Sequence, residues 1–223
     1  LRILDVSNPT AIEQTGFLPS SFSIPGLDLQ DGYAYLATEY NGLRIIDVRD
    51  PAQPVQVGSW DPTSYVYDVV VRGPYAYVAC SSGMRILDVS QPGVPVQVGS
   101  YDTPVLVSHL TLDGRYAYLS HHESMTILDL QDPVTPVRRG SISPYGRTGP
   151  VVIVDGTAYL AGWVGGLRVI EVRDPSAPVE IGSFPVLGDV RRLELRENRV
   201  YLTGGYRVAD EKNAGSDAGE GDA

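Results

Sequence analysis

A five-residue pattern that recurs every 41 or 42 residues constrains the fold of this chain more than any other feature. Each copy holds an apolar residue, Arg or Thr, two aliphatic residues and an acid, at residues 1–5, 43–47, 84–88, 125–129 and 167–171. A weaker sixth copy, residues 206–210, begins 39 residues after the fifth. A fixed period of this length is typical of proteins built from stacked structural repeats.

Each period contains four segments with the character of β-strands. In the second period they cover residues 65–72, 75–80, 85–89 and 96–101. The first is apolar on both faces, as in a strand between two sheets, and the fourth alternates, as in a half-exposed strand. No stretch has apolar residues at helical spacing. A four-stranded unit of about 40 residues that cannot bury both faces alone is typical of a β-propeller blade. The sequence therefore predicts an all-β propeller of antiparallel blades.

The two ends of the chain hold complementary halves of a blade. We predict a propeller domain over residues 1–210, with five blades. The third and fourth strands of the closing blade are expected at residues 1–18 and its first and second at 189–203, so that pairing the ends removes open sheet edges. The alternative is an arc of a larger ring of six to eight blades. Residues 211–223 are acidic and lack large apolar side chains, which predicts a disordered tail.

Two segments compete for the third-strand position of the closing blade, residues 1–5 and residues 206–210. The N-terminal segment is more apolar and brings a fourth strand, so we expect it to occupy the position within one molecule. The other segment would then be free to pair with another chain. If residues 206–210 keep the position, residues 1–17 become free, and head-to-tail exchange could build an open filament. Both versions predict association through the chain ends.

The repeated sequence also resembles a known family. The Leu-Arg-Ile-Ile-Asp-Val core at residues 43–48, followed by Asp-Pro-x-x-Pro-Val, is similar to the LVIVD repeat family of β-propellers over residues 1–205. This chain departs from the pattern at Thr126, at Glu171, and at Ala11-Ile12, which replaces Pro-Val. The family is widespread in secreted and surface proteins, so the resemblance implies a propeller that is extracellular or at the cell surface.

The net charge of the chain and its lack of known catalytic and metal-binding motifs exclude several classes of function. The chain carries 27 acidic and 17 basic residues, a net charge of −10, which argues against nucleic acid or an anionic membrane as the main partner. The longest apolar run, residues 151–154, cannot span a membrane. No HExxH, paired CxxC, EF-hand loop or GxSxG elbow is present, and the lone Cys80 has no activating neighbour in sequence. We therefore expect no cofactor and no catalysis, and a protein or a glycan as partner.

Residues that recur in every period are interpreted as structural. The repeated Arg and Asp of the five-residue pattern belong to this class. An Asp just before a Pro-containing turn, such as Asp47, is expected to accept hydrogen bonds from backbone N–H groups of the turn. The repeated Tyr-Ala-Tyr segments are expected to lie in the core between blades.

Residues that break the repeat are the candidates for function. In propellers, the loops that enter each innermost strand and those that join the second and third strands share one face, where ligands usually bind. These loops carry the predicted ligand-binding residues Tyr40, His109, His121, Glu123 and Trp163. Imidazole and carboxylate groups can hold a metal. If a metal is bound, its ligands are expected among His109, His121, His122 and Glu123, although adjacent residues of an extended segment point to opposite sides.

Three function classes follow from these observations. The favoured one is a non-catalytic binding or scaffold propeller for a protein or a glycan. The second is a self-assembling structural subunit that exchanges strands through its termini. The third is a metal-binding or enzymatic propeller with its site at the central pore near His109 and His121.

Overall fold

A computed structural model of the chain describes residues 1–144, 148–162, 165–186 and 189–205. These residues form twenty β-strands and no helix, in agreement with the all-β prediction. No helix in the described part is long and apolar enough to cross a membrane. The sixth copy at residues 206–210, the acidic tail at 211–223 and the candidate Trp163 lie outside the described residues.

The strands form two half-blades and four complete blades. The N-terminal half-blade contains β1 (Arg2–Asp5) and β2 (Glu13–Phe17). Blade 1 contains β3 (Gly26–Gln30), β4 (Tyr33–Ala37), β5 (Leu43–Asp47) and β6 (Val55–Trp60). Blade 2 contains β7 (Val66–Arg72), β8 (Tyr75–Cys80), β9 (Gly83–Asp88) and β10 (Val96–Asp102). Blade 3 contains β11 (His109–Asp113), β12 (Tyr116–His121), β13 (Ser124–Asp129) and β14 (Val137–Ile142). Blade 4 contains β15 (Thr148–Val154), β16 (Thr157–Gly162), β17 (Gly166–Glu171) and β18 (Val179–Phe184). The C-terminal half-blade contains β19 (Asp189–Arg196) and β20 (Arg199–Gly205).

Every blade is a four-stranded antiparallel sheet in sequence order, which is the predicted fold class of a β-propeller. The register shifts once between the third and fourth strands of each complete blade and also between β1 and β2. Such a bulge bends the outer strand and increases its twist.

Apolar side chains fill the spaces between neighbouring blades. Between blades 1 and 2, for example, Tyr35 and Ile45 of blade 1 pack with Val66, Val69 and Val71 of blade 2. Equivalent cores lie between blades 2 and 3 and between blades 3 and 4. The repeated tyrosines Tyr35, Tyr77 and Tyr118 are buried, which confirms that the Tyr-Ala-Tyr segments contribute to the core.

Side chains also connect the innermost strands of successive blades. The Asp28 Oδ2 atom accepts a hydrogen bond of 2.7 Å from the Val71 backbone N–H. In the next blade, the Asp68 Oδ2 atom accepts one of 3.0 Å from the Leu110 backbone N–H. The Thr111 hydroxyl then donates to the Val151 carbonyl oxygen at 2.8 Å. These bonds fix one blade to the next near the axis, where no backbone ladder joins the described sheets.

The repeated acids stabilise turns, as the sequence predicts. Asp47 Oδ1 accepts the backbone N–H of Arg49 at 3.0 Å, and Asp88 accepts that of Ser90 at 2.9 Å. The Arg49 side chain also donates to Asp47, and together these bonds lower the pKa of that carboxyl to about 2. The repeated Arg forms an ion pair with an exposed Asp in blades 1 and 2, which contributes little because water screens it.

From the N-terminal half-blade to blade 4, a glycine of the fourth strand allows the outer rims of neighbouring blades to touch. A Cβ atom added to Gly16, Gly58, Gly99 or Gly140 would lie 1.8–2.3 Å from a backbone carbonyl oxygen of the next blade's turn. The residues that supply these carbonyls are Pro51, Pro92, Val134 and Pro175, in that order. Because no side chain fits there, the glycine of the fourth strand and the turn of the following blade form one repeated contact.

The two half-blades have their predicted strands but do not pair with each other in the described residues. Leu1 and Leu18 pack on Ala34 and Ile46 of blade 1, which holds the N-terminal half-blade. The C-terminal half-blade packs on blade 4 through a separate cluster. β1–β2 and β19–β20 remain two-stranded sheets. The closing blade, and with it the number of blades in the ring, therefore stays a prediction.

The glycine contact predicts a large difference between two Gly→Ala substitutions. The Cβ of Gly58→Ala would lie 2.0 Å from the Pro92 oxygen, whereas that of Gly93→Ala would lie 3.4 Å from the Val57 oxygen. We expect Gly58→Ala to lower the free energy of unfolding by about 2 kcal/mol or more, because blades 1 and 2 must separate at the rim. Gly93→Ala should change it by less than about 0.5 kcal/mol. Urea denaturation measures both, and equal losses would contradict the contact.

Candidate functional site

Hydrogen bonds join the two loop sets that were predicted to share one face. The loop between β4 and β5 bonds to the start of β7 through Glu39 and Val66, at 3.0 and 3.1 Å. The Val107 N–H donates to the Cys80 carbonyl oxygen at 3.0 Å, and the Thr148 N–H donates to the His122 carbonyl oxygen at 2.7 Å. The loops after β4, β8 and β12 thus hold the entries to the innermost strands β7, β11 and β15. We call this surface the loop face.

One position of the repeat lines the central channel in every blade. It is occupied by Gly26, Asp68, His109 and Arg192, which pair with residues of the second strands, and by Pro150, which holds the same place by the repeat offset. All five border a cavity of about 1050 Å³, together with Tyr201, Glu194 and Thr203 of the C-terminal half-blade. The cavity is large enough for a small ligand. Its wall carries both acidic and basic groups.

Asp68 is an acidic residue of the cavity wall that also connects two blades. Its Oδ1 accepts the Val69 N–H at 2.9 Å while its Oδ2 accepts the Leu110 N–H. Burial raises the pKa of this carboxyl to about 6, against the effect of these hydrogen bonds. Asp68 therefore braces blades 2 and 3 and also lies at the cavity wall.

His109 faces the same cavity and is uncharged at neutral pH. Its Nδ1 atom lies 3.1 Å from the Ser108 hydroxyl. Burial, and to a lesser degree the nearby charge of Arg192, lowers the pKa of this imidazole to about 4. A neutral imidazole can both donate and accept hydrogen bonds, so His109 can bind a polar group in the channel.

His121 is used within its own blade. Its Nε2 atom lies 2.7 Å from the Thr126 hydroxyl, and its Nδ1 lies 3.0 Å from the Ser124 hydroxyl. Thr126 stands where the other complete blades have the repeated Arg. In this blade the side chain at that position therefore bonds to His121. Both ring nitrogens have partners, which makes His121 a turn-stabilising residue.

The residues predicted to form one site lie in three places. His109 lines the channel, His121 is bound inside the turn between β12 and β13, and Glu123 is exposed at that turn. His122 is exposed in the left-handed region, with a φ of 43°. Within the described residues, no group of three or more His, Cys, Asp or Glu side chains could hold a metal ion. The predicted metal set of His109, His121, His122 and Glu123 therefore does not form a ligand group there.

Tyr40 belongs to an aromatic cluster that the sequence analysis identified only in part. Its ring centroid lies 3.8 Å from that of Tyr65, and Tyr65 stacks near-parallel to Tyr67 at 6.1 Å. We call these three residues the tyrosine cluster. Tyr40 is 71% exposed, while Tyr65 and Tyr67 are half-buried. Tyr65 and Tyr67 were missed, although the second period alone begins its innermost strand with Tyr-x-Tyr.

Cys80 has no access to a substrate. Its side chain is fully buried in the core between blades 1 and 2. Burial raises the pKa of the thiol to about 11, so no thiolate forms at neutral pH.

The lowered pKa of His109 predicts how the free energy of unfolding depends on pH. The pKa of the imidazole rises from about 4 to the ordinary 6.5 when the chain unfolds. As the pH falls, the unfolded chain therefore takes up a proton first, and the folded state loses stability between pH 6.5 and 4. His109→Leu should remove this part of the loss. Urea denaturation at pH 7, 5.5 and 4.5 compares the two proteins, and identical pH dependence would contradict the prediction.

Two solved structures resemble this fold. Their sequence identities to this chain are low, so the likeness concerns the fold alone. The crystal structure of the computationally designed Ika8 protein has a TM-score of 0.67 and 10% identity, over 82% of this chain and 55% of its own. A functionally unknown protein from Desulfotomaculum acetoxidans DSM 771 has a TM-score of 0.70 and 14% identity, over 82% of this chain and 62% of its own. This chain thus spans less than two thirds of either one.

Sequence comparison identifies the family. No curated protein matches the chain. The family model for the LVIVD repeat matches residues 1–16, 26–62, 64–103, 107–143 and 145–186, which is most of the chain and agrees with the periods read from the sequence. This protein belongs to the LVIVD repeat family.

Proposed function

We propose that this chain is a non-catalytic binding and scaffold propeller that takes a protein segment or a glycan at its loop face. The observation that carries the proposal is the tyrosine cluster, in which the exposed Tyr40 ring lies against Tyr65. An exposed tyrosine offers an apolar ring and a hydroxyl in one side chain, with few rotatable bonds to order on binding. Both the C–H face of a sugar and an apolar side chain fit such a ring.

The position of the tyrosine cluster supports a binding role. Val66, between Tyr65 and Tyr67, is fully buried in the core between blades 1 and 2. Two backbone hydrogen bonds join it to Glu39, the neighbour of Tyr40. The aromatic rings are thus mounted on a rigid junction of two blades rather than on a free loop. A preorganised surface of this kind loses little conformational entropy when a partner binds.

The state of the reactive side chains supports binding rather than catalysis. Cys80 is buried, His121 has both ring nitrogens engaged, and Asp68 accepts two backbone N–H groups. His109 alone among these candidates faces the channel with few partners. Its neighbour, the Ser108 hydroxyl at 3.1 Å, donates its own proton to the Ser120 carbonyl oxygen at 3.3 Å, which favours a structural and ligand-contacting role of this pair over proton transfer.

The same proposal places the protein outside the cell or on its surface. Its support is the resemblance to LVIVD propellers and the net charge of −10, which suits a soluble surface that avoids nucleic acid. We expect protease treatment of intact cells of the source organism to degrade the protein, as followed by immunoblot. A cytoplasmic marker protein serves as the control. Protection equal to that of the marker would refute this location.

Truncation of the tyrosine cluster tests the binding site. An array of glycans and a library of displayed peptides serve as the two probes, and the probe that binds identifies the class of partner. We expect Tyr40→Ala to weaken that binding at least tenfold without changing the melting temperature, because the ring is exposed. Ile181→Ala, an exposed residue of an outer strand, is the matched control. Unchanged binding by Tyr40→Ala would place the ligand elsewhere.

A further inference from the structure

The two arginines that border the channel cavity have no partner in the described part of the structure. Every other arginine of the described residues forms an ion pair or a hydrogen bond, as Arg196 does with Glu194 at 2.7 Å. Arg191 and Arg192 form neither with any described residue, and both line the cavity. Their guanidinium groups therefore keep their hydrogen-bond donors for a group inside the channel.

An irregularity of β19 explains how two consecutive arginines reach the same cavity. Val190 pairs with Gly204, and Arg192 pairs with Thr203. Arg191 is thus an extra residue without a partner on β20. Consecutive side chains of a regular strand point to opposite sides, and a bulge of this kind changes the direction of one of them. The bulge brings two cations to one wall, where a pair of guanidinium groups is suited to bind a carboxylate.

His109 presents a hydrogen-bond acceptor to the same cavity. The Ser108 hydroxyl donates its proton to the Ser120 carbonyl oxygen at 3.3 Å, so its oxygen accepts the proton of His109 Nδ1, which lies 3.1 Å away. Because burial lowers the pKa of the imidazole to about 4, the ring is neutral at pH 7 and Nε2 carries no proton. Nε2 forms no hydrogen bond to the described residues. It can accept one from a hydroxyl group in the channel.

The charges on the cavity wall leave one cation in excess. Glu194 borders the cavity, but its charge is balanced by Arg196. Asp68 is the other acid of the wall and balances only one of Arg191 and Arg192. Each oxygen of Asp68 accepts one backbone N–H group and has a further lone pair for a ligand hydroxyl. A ligand with a single negative charge and several hydroxyl groups therefore matches this wall, whereas a cationic ligand would be repelled.

The size and the apolar part of the cavity favour a ring-shaped ligand. The volume of about 1050 Å³ lies at the upper end of the range for small-molecule sites. A short-chain hydroxy acid would contact only a small part of the wall. A sugar ring is larger, and its C–H groups can pack on Tyr201 and Leu27, which supply apolar surface to the cavity.

We propose that the channel binds a sugar acid, with its carboxylate between the guanidinium groups of Arg191 and Arg192 and a ring hydroxyl donating to Nε2 of His109. This site goes beyond the proposed binding at the loop face, since none of these residues belongs to the tyrosine cluster. A free uronic acid and a uronic acid unit at the end of a glycan offer the same chemistry, and the choice of probe separates these two sources.

Three related probes test which parts of the ligand the channel recognises. Isothermal titration calorimetry of the full chain compares glucuronate with glucose, which lacks the carboxylate, and with cyclohexanecarboxylate, which lacks the hydroxyl groups. We expect glucuronate to bind at least tenfold more tightly than either one, because each removal leaves a polar group of the wall without a partner. A disaccharide that ends in glucuronate should bind more tightly than glucuronate if the ligand is the end of a glycan, and less tightly if it is a free acid.

Two substitutions assign the contacts. Arg192→Gln removes one cation and should weaken the binding of glucuronate at least tenfold. The melting temperature should not change, because Arg192 is exposed. His109→Phe removes the acceptor and should weaken the binding of glucuronate while that of cyclohexanecarboxylate stays the same. Arg199→Gln is the matched control, since Arg199 is an exposed arginine of the same half-blade that does not border the cavity.

Two results would overturn the proposal. Equal binding of glucuronate and cyclohexanecarboxylate, or no binding of glucuronate at millimolar concentration, would show that the channel does not recognise a sugar acid. Binding of glucuronate that persists unchanged in Arg192→Gln would place the sugar acid outside the channel. Loss of that binding in Tyr40→Ala would then assign it to the tyrosine cluster, so that the proposed function would stand while the channel site would fail.

Discussion

Burial of apolar side chains between neighbouring blades is the interaction on which the rest of this structure depends. A single four-stranded sheet with apolar residues on both faces cannot exclude water by itself, so each blade requires another on either side. The cores between blades 1, 2, 3 and 4 meet this requirement. Where the described residues supply no such neighbour, at Leu4 and Leu27, the same residue types are about half exposed. The stability of any one blade therefore depends on the blades beside it.

The outer rim and the inner channel impose different constraints on this packing. At the rim, the fourth-strand glycine admits the carbonyl of the next turn, and any side chain there would separate the blades. Near the axis, the blades are joined instead by side-chain bonds from Asp28, Asp68 and Thr111. The rim contact recurs at Gly16, Gly58, Gly99 and Gly140, and because it is steric it requires only a glycine and a backbone carbonyl. The inner bonds differ from blade to blade: Asp28 and Asp68 accept backbone N–H groups, whereas the Thr111 hydroxyl donates to a carbonyl oxygen.

The fold could be predicted from the sequence because its signals are periodic. The apolar runs, the Asp that holds each turn and the buried tyrosines recur at one spacing, and each has a single physical explanation. The candidate site could be predicted only in part, because a repeat gives the position of a residue in the blade but not the partner of its side chain. His109 and His121 are close in sequence, yet one lies on an innermost strand and the other at the end of β12. Whether His121 contacts a ligand or Thr126 depends on the side-chain geometry of a turn, which no periodicity encodes.

The channel position shows how a repeat fold separates packing from chemistry. Gly26, Asp68, His109, Pro150 and Arg192 occupy one place in five successive units and share no chemical property. The residues that follow them are all aliphatic: Leu27, Val69, Leu110, Val151 and Leu193. Adjacent residues of a strand point to opposite sides, so one set packs against a neighbouring blade while the other faces the channel. Packing restricts the first set to one residue class, whereas the second is free to vary. Differences between blades therefore accumulate at the channel and on the loop face. These surfaces, rather than the repeated core, distinguish this chain from other chains with the same fold.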